Sequence, residues 1–349
     1  MPSTSPNEVN VLISACYVGV ESPALSAGLV DQRLLLRLAV FHRVASLVYE
    51  NAERLGLPPE SGVAFKAAAM ATLHRNLQFA AELKIALAAL AAADVPVILL
   101  KGAHLMDAVY HNLALRPLSD LDLLVQQQDT SKAVHALRDA GYVADPRKAA
   151  FGLAADREIR LDKSGVHDVI VELHTDLNRP TRHHWFPMDA IWERSEEYPF
   201  DGVPARALSP ADNLTFLCAH AVPHAFSQLI WLRDIAGLLP MVPGAFAETA
   251  VGARARRAVY AGVWLASTLL GVQVDAEELR QLGGDDATAM QVWLTPERLF
   301  GGTHYSTVDS LRFRAALSDT PADAASILGA GAARKVGEFR RGLATRKQK

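Results

Sequence analysis

Residues 116–125 read RPLSDLDLLV, and the fold turns on how that stretch is placed. Leu121, Leu123, Leu124 and Val125 form a short apolar run opened by a turn at Ser119, the pattern of a buried strand. Asp120 and Asp122 fit such a run only if their side chains leave the core. In an extended chain, residues two apart share a face and lie about 6.6 Å from each other. Asp120 and Asp122 therefore face one side, while Leu121 and Leu123 face the core. Two carboxylates at that spacing repel by about 2 to 3 kcal/mol at an effective dielectric of ~20. Compensation comes from a raised pKa, a basic partner or a bound cation. Magnesium suits the last case, because carboxylate oxygens are its preferred ligands and substrate phosphates complete its shell. A plainer account stands beside it: Asp after Ser is common turn chemistry, and Arg116 is close enough in sequence to neutralise the pair by a salt bridge.

Working outward, AAADVPVILL (91–100) ends a helix at Asp94 and Pro96 and turns into a short buried strand through Val95, Val97 and Ile98. Lys101, Gly102 and Ala103 follow, then a helical stretch HLMDAVYHNL (104–113), and then the acidic strand. Thr130 to Ala140 reads as a helix stopped by Gly141, and strands are expected near Glu158 to Leu161 and Asp168 to Leu173. Helical spacing fills the N-terminal region, broken at Pro58 and Pro59 and resumed from Ser61 to about Ala93. Helical spacing returns at Ser209-Pro210-Ala211-Asp212, a good cap and first turn, and runs to about Leu282. The expectation is an α+β protein. A mixed-sheet core over 94–205 is flanked by helical regions at 1–93 and 206–285, with a weakly patterned segment and basic tail at 286–349.

The stretch LLKGAHLMDAVYHNLALRPLSDLDLLV (99–125) resembles the active-site segment of nucleotidyltransferases of the DNA polymerase beta-like superfamily. It is most similar to a poorly characterised bacterial branch reading approximately LKGxAL and then RPxSDxDLLV. VELHTDL (171–177) and DNLTFLCAHAVPHAFSQLIWLRDI (212–235) match more loosely. The resemblance implies a polymerase beta-like core and transfer of a nucleoside monophosphate from a nucleoside triphosphate to a hydroxyl. It implies metal ions, Mg2+ with Mn2+ as the alternative, held by Asp120 and Asp122. Glu172, or Asp176 if the register slips, would be the third carboxylate. Gly102 matches the glycine that meets the triphosphate, whereas Ala103 stands where that superfamily has Ser or Gly. Backbone amides at a helix N-terminus still serve an anion there. Lys101, Arg116 and Ser119 join Gly102 and Ala103 as nucleotide contacts. His174, His220, His224, Trp231 and Asp234 are assigned to base or acceptor contact. The competing account makes Trp231 core and Asp234 a salt bridge.

Composition narrows the partners. The 349 residues carry a formal charge of -3, so no global basic field recruits nucleic acid. The basic end, Arg334 to Lys349, is either a solvated tail or an arm for RNA. Arg179, Arg182, His183 and His184 form a second basic patch, equally explained by an exposed loop. Two cysteines, Cys16 and Cys218, cannot build a disulfide framework, and the N-terminus lacks the order of a secretory signal, so a cytoplasmic protein is expected. Ala258 to Val274 is too short and too polar to span a membrane and reads as a buried helix. His220 and His224 have i, i+4 spacing without a glutamate between them, and His167-Asp168 falls at a strand start, so neither pattern is read as a zinc or phosphohydrolase site. The acceptor is a small molecule, a protein side chain or a tRNA end. A non-catalytic nucleotide-binding or helical interaction protein retaining the fold is the alternative.

Overall fold

The computed structural model describes residues 6–19, 30–163, 169–178, 185–242, 244, 246–300 and 307–329. His167, Asp168, Arg179, Arg182, His183, His184 and the tail 334–349 lie outside the described residues. The fold is α+β. One six-stranded mixed sheet contains β1 (Val97–Leu99), β2 (Leu121–Val125), β3 (Glu158–Lys163), β4 (Val169–His174), β5 (Glu196–Glu197) and β6 (Arg206–Ala207). Across the sheet the order is β3-β4-β2-β1-β6-β5. β2 runs parallel to β4 and β1 parallel to β6, while the remaining neighbours are antiparallel.

Alternation of side chains assigns the two faces. Leu99, Leu123 and Leu173 align across β1, β2 and β4, with Ile159 beyond them. They pack with Phe79, Leu83, Leu87 and Leu90 of the long helix Pro59–Ala92 and with Leu137 of the helix Thr130–Asp139. Ile98 and Leu124 point the other way and join a second core built with Leu105, Leu232 and Val259. Every residue of β1 and β2 is buried, as expected of strands covered on both faces.

Several elements lie where the sequence placed them. The helix Pro210–Ala221 starts at Ser209, whose hydroxyl accepts from the Asp212 amide. The buried helix Arg256–Leu270 covers most of the apolar run, and no described helix is long and apolar enough to cross a membrane. Others differ. The helix expected over 104–113 spans Lys101–Ala108 instead. It opens directly at the end of β1, and beyond it Asn112 Oδ1 accepts from the Ala114 amide, a local turn that competes with further helix. Asp120 precedes β2 rather than lying in it. The helix Pro146–Asp156 and the hairpin of β5 and β6 were not anticipated. β6 begins at Arg206, one residue past the expected edge of the core, and the Pro59–Ala92 helix shares a core with the sheet across residue 93.

Candidate active site

Parallel pairing of β2 with β4 sets Asp122 opposite Glu172 and Leu124 opposite His174, so two acids and an imidazole share one face of the sheet. Lys101 arrives from the first turn of the helix that follows β1, and its Nζ donates to Asp122 Oδ1 at 2.6 Å. His174 Nε2 lies 2.9 Å from the same oxygen, and its Nδ1 is 3.7 Å from Glu158 Oε2. Asp122 and His174 are almost fully buried, at 2% and 1% exposure. Asp122, Glu172 and His174 each offer one ligand atom, all within 4.8 Å of one another, and they are the one such group of three among the described residues. Asp120 was expected in this set and is outside it, because it precedes the strand pairing that aligns the others. His174 completes the group, and Asp120 stands close enough for its charge to act on Asp122 and Glu172. The signal was present in VELH: Glu172 and His174 are two apart on a strand, the same relation that singled out Asp120 and Asp122.

Charge is distributed unevenly over these groups. Burial alone would raise the Asp122 pKa, but the Lys101 ammonium and the His174 hydrogen bond outweigh it and hold the carboxyl well below its usual range. Glu172 is pushed up to about 8, first by burial and then by the Asp122 and Glu158 carboxylates. Asp120 is raised by burial and by Asp122, with Lys101, the Ser119 hydrogen bond and Arg43 working against the rise. The site thus pairs a firmly ionised acid with one disposed to hold a proton, a combination suited to acid-base work. Two carboxylates and an imidazole also form a donor set that fits a divalent cation. The backbone at Lys101 is left-handed, with φ 44°, a conformation that a lysine adopts only under constraint from its surroundings.

A family described as uncharacterised nucleotidyltransferase matches residues 29–271, more than half of the chain. The chain belongs to this nucleotidyltransferase family. No curated protein matches it. The matched span extends well beyond the sheet, and the contacts around the acidic strand show what the flanking helices contribute to this nucleotidyltransferase.

Arg116 was expected to touch the nucleotide and Asp234 the base or acceptor. The structure commits them to each other. Arg116 Nε donates to Asp234 Oδ1 at 2.9 Å and Nη2 to Oδ2 at 2.8 Å, and Tyr110 Oη adds a bond to Oδ1 at 2.8 Å. Asp234 has no exposed surface and Arg116 is 8% exposed, so neither is open to a substrate. Burial disfavours the Arg116 charge, yet Asp234 more than offsets it and raises the pKa. Gly102 has a packing reason to be glycine: a Cβ there would lie 2.4 Å from Arg116 Nη1 and 2.5 Å from Leu118 Cδ2. Ala103 is fully buried in the core under the sheet, so its methyl is not a nucleotide contact and only its backbone remains for that role.

Three residues that sequence reading missed hold the loop leading to Asp120. Asn76, fully buried on the long helix, donates to the Leu113 and Arg116 carbonyls at 2.7 Å each and accepts from the Leu118 amide at 3.0 Å. Arg43 Nη2 donates to the Pro117 carbonyl at 2.9 Å, and Arg75 Nε to the Leu118 carbonyl at 3.1 Å. Asp176 is engaged locally, accepting from the backbone and side chain of Asn178, which leaves Glu172 as the acid beside Asp122. His220, His224 and Trp231 form an aromatic cluster with ring centroids 5.1 to 6.3 Å apart where Phe216 is included. Trp231 enters it from the start of the helix Leu229–Leu238, one turn before Asp234, and Phe216 and His220 from the helix Pro210–Ala221.

Proposed function

We propose that this nucleotidyltransferase, as a polymerase beta-like enzyme, moves a nucleoside monophosphate from a nucleoside triphosphate to a hydroxyl acceptor. The observation that carries the reading is the alignment of Asp122, ion-paired to Lys101, with Glu172 on the adjacent parallel strand. Mg2+, or Mn2+ given the imidazole in the donor set, would be held by Asp122 and Glu172 with His174 or Asp120 beside them. When bound, the ion supplies charge neutralisation and orientation of the phosphates. The chain's own residues do the rest. The acceptor oxygen forms a bond to the α-phosphorus, the α–β bridging P–O bond breaks, and pyrophosphate leaves with the electron pair. The acceptor proton passes to the Glu172 carboxylate, which is ionised in the metal-bound site and stands beside Asp122 on the adjacent strand. Lys101 exchanges its bond to Asp122 for one to a phosphate oxygen, and the amides of Gly102 and Ala103 at the helix N-terminus face the same anion. Positioning and electrostatics supply most of the acceleration, since such a transfer asks little covalent chemistry of the protein.

Incubation with α-labelled triphosphates and magnesium should label an acceptor, and Asp122→Asn with Glu172→Gln should abolish the label. Labelling by the double variant at the wild-type rate would sink the assignment. Buried Ala103 and the Lys101 pairing favour a second reading, a nucleotide-binding protein without transfer. Calorimetric binding of triphosphate with no pyrophosphate release would select it. Whether the acceptor is RNA is tested by deleting 334–349 and measuring RNA affinity and its salt slope.

A further inference from the structure

We infer that Arg43 and Arg75, from the N-terminal helical region, bind the polyphosphate tail of the incoming nucleotide. The inference rests on the reading that the site takes a nucleoside triphosphate, and it adds residues that no motif marks.

Three guanidiniums gather over the loop 116–120. Arg116 is neutralised by its two-pronged bond to Asp234. Arg43 and Arg75 hold the carbonyls of Pro117 and Leu118, one on each side of a peptide bond, through a single nitrogen apiece. Among the described residues neither makes an ion pair with a carboxylate. Each planar fork therefore keeps charge and donors beyond those used on the loop. The carbonyl bonds fix where the two guanidiniums sit, next to the turn that delivers Asp120. Crowding of like charge is evident at Arg43, whose proton affinity is lowered by burial and then by Arg116 and Arg75, with Asp120 and Asp234 opposing. Asp120 in turn feels both Lys101 and Arg43, one from each side of the acidic loop.

An anion spanning Lys101, the carboxylate-held cation and the two arginines relieves that crowding, and a chain of phosphates has the length and charge to do so. Arg43 also has a left-handed backbone, φ 61°, at the exit of the helix Gln32–Phe41. That strain is retained at a position where the side chain must reach the acidic loop. Arg75 is exposed, with its guanidinium 5.2 Å from the centroid of the Phe79 ring, which holds its fork in place without using its donors.

The test uses the full-length protein, magnesium and inorganic tripolyphosphate in a titration calorimeter, with Arg43→Gln, Arg75→Gln and the double variant. Each single change should weaken tripolyphosphate binding by about tenfold and the pair by about a hundredfold, as for loss of one and two charge-assisted hydrogen bonds. Mn2+ affinity without phosphate, read by electron paramagnetic resonance, should stay within about threefold of wild type in all three. Arg43→Lys keeps a donor for Pro117 and guards against a folding defect, and it should retain part of the lost affinity. The inference is overturned if the double variant binds tripolyphosphate like wild type while an RNA oligomer is lost, which assigns the arginines to the acceptor. It is overturned alone if wild type transfers label and the double variant keeps its KM for the triphosphate. If wild type neither binds tripolyphosphate nor transfers label, the functional reading falls and this inference with it.

Discussion

Replacing Asp234 by Asn tests whether the acidic strand is held in place from the far side of the molecule. Asp234 is wholly buried and makes bonds of 2.8 to 3.1 Å to Arg116 and Tyr110. Asparagine keeps the shape and an acceptor for Tyr110 but removes the charge that balances a guanidinium 8% exposed. Breaking a buried pair from one side costs about 3 to 5 kcal/mol, because the remaining ion stays desolvated and unpaired. That is a large part of the roughly 5 to 15 kcal/mol that stabilises most folds. Urea unfolding followed by far-UV circular dichroism should show a loss of that size. The double change Arg116→Met with Asp234→Leu leaves no charge behind and should recover most of it. Nucleotide transfer should fall in the single variant as well, since the Arg116 carbonyl is tied to Asn76 and its guanidinium lies against Gly102. A loss below about 1 kcal/mol for Asp234→Asn, or a double variant no better than the single, would refute the account of Arg116 as a clamp.

Gly102→Ala forces a methyl to within 2.4 Å of Arg116 Nη1 and should destabilise by about 1 to 3 kcal/mol in the same unfolding assay; an unchanged midpoint would contradict the packing. Lys101→Met removes the cation 2.6 Å from Asp122, so Mn2+ binding without nucleotide should tighten by about tenfold in a paramagnetic titration, and weaker binding would show that Lys101 does not compete for that oxygen. His42 and His104 are pushed down to about 4 by burial. Above pH 6.5 both are neutral whether the chain is folded or not. As pH falls from 6.5 toward 4 the unfolded chain takes up protons that the fold refuses, and each histidine subtracts on the order of 3 kcal/mol from stability. Denaturant midpoints between pH 7 and 4 should fall less steeply in the variant carrying His42→Phe and His104→Gln; a parallel decline would assign the acid sensitivity to other groups.

What the sequence disclosed is what local rules can reach. The period of two in DLDLLV and in VIVELH gave β2 and β4, with Asp122 facing away from Leu121 and Leu123, while Glu172 came from the family resemblance. Caps at Ser209 and the Pro58-Pro59 break gave helix starts for the same reason. Asp120 was placed with Asp122 by that period, but the strand begins at Leu121, and the end of a strand is where a local rule loses its hold. His174 lies two residues from Glu172 on the same strand, and only the parallel register, which no single strand reveals, brings it to Asp122. Arg116 and Asp234 are separated by 118 positions, and either alone reads as an ordinary charge. Asn76 resembles any polar residue on a helix until the loop it satisfies is in view. β5 and β6 have two residues each, too few to show a period.

The family match covers both helical flanks as well as the sheet, and these same long-range contacts tie those flanks to the site. The strands of this sheet have two to six residues, so strand pairing offers little to fix the loop between the Lys101–Ala108 helix and β2. The loop is fixed from outside. Asn76, Arg43 and Arg75 grip its backbone from the N-terminal side, and Asp234 takes its arginine from the C-terminal side. Two fully buried groups from helices, Asn76 and Asp234, thereby determine where Asp122 enters the site, and each would carry a desolvation penalty if its partner were absent. The helices that read as flanks in the sequence are the support that holds the loop bearing Asp120 and keeps Asp122 in register with Glu172.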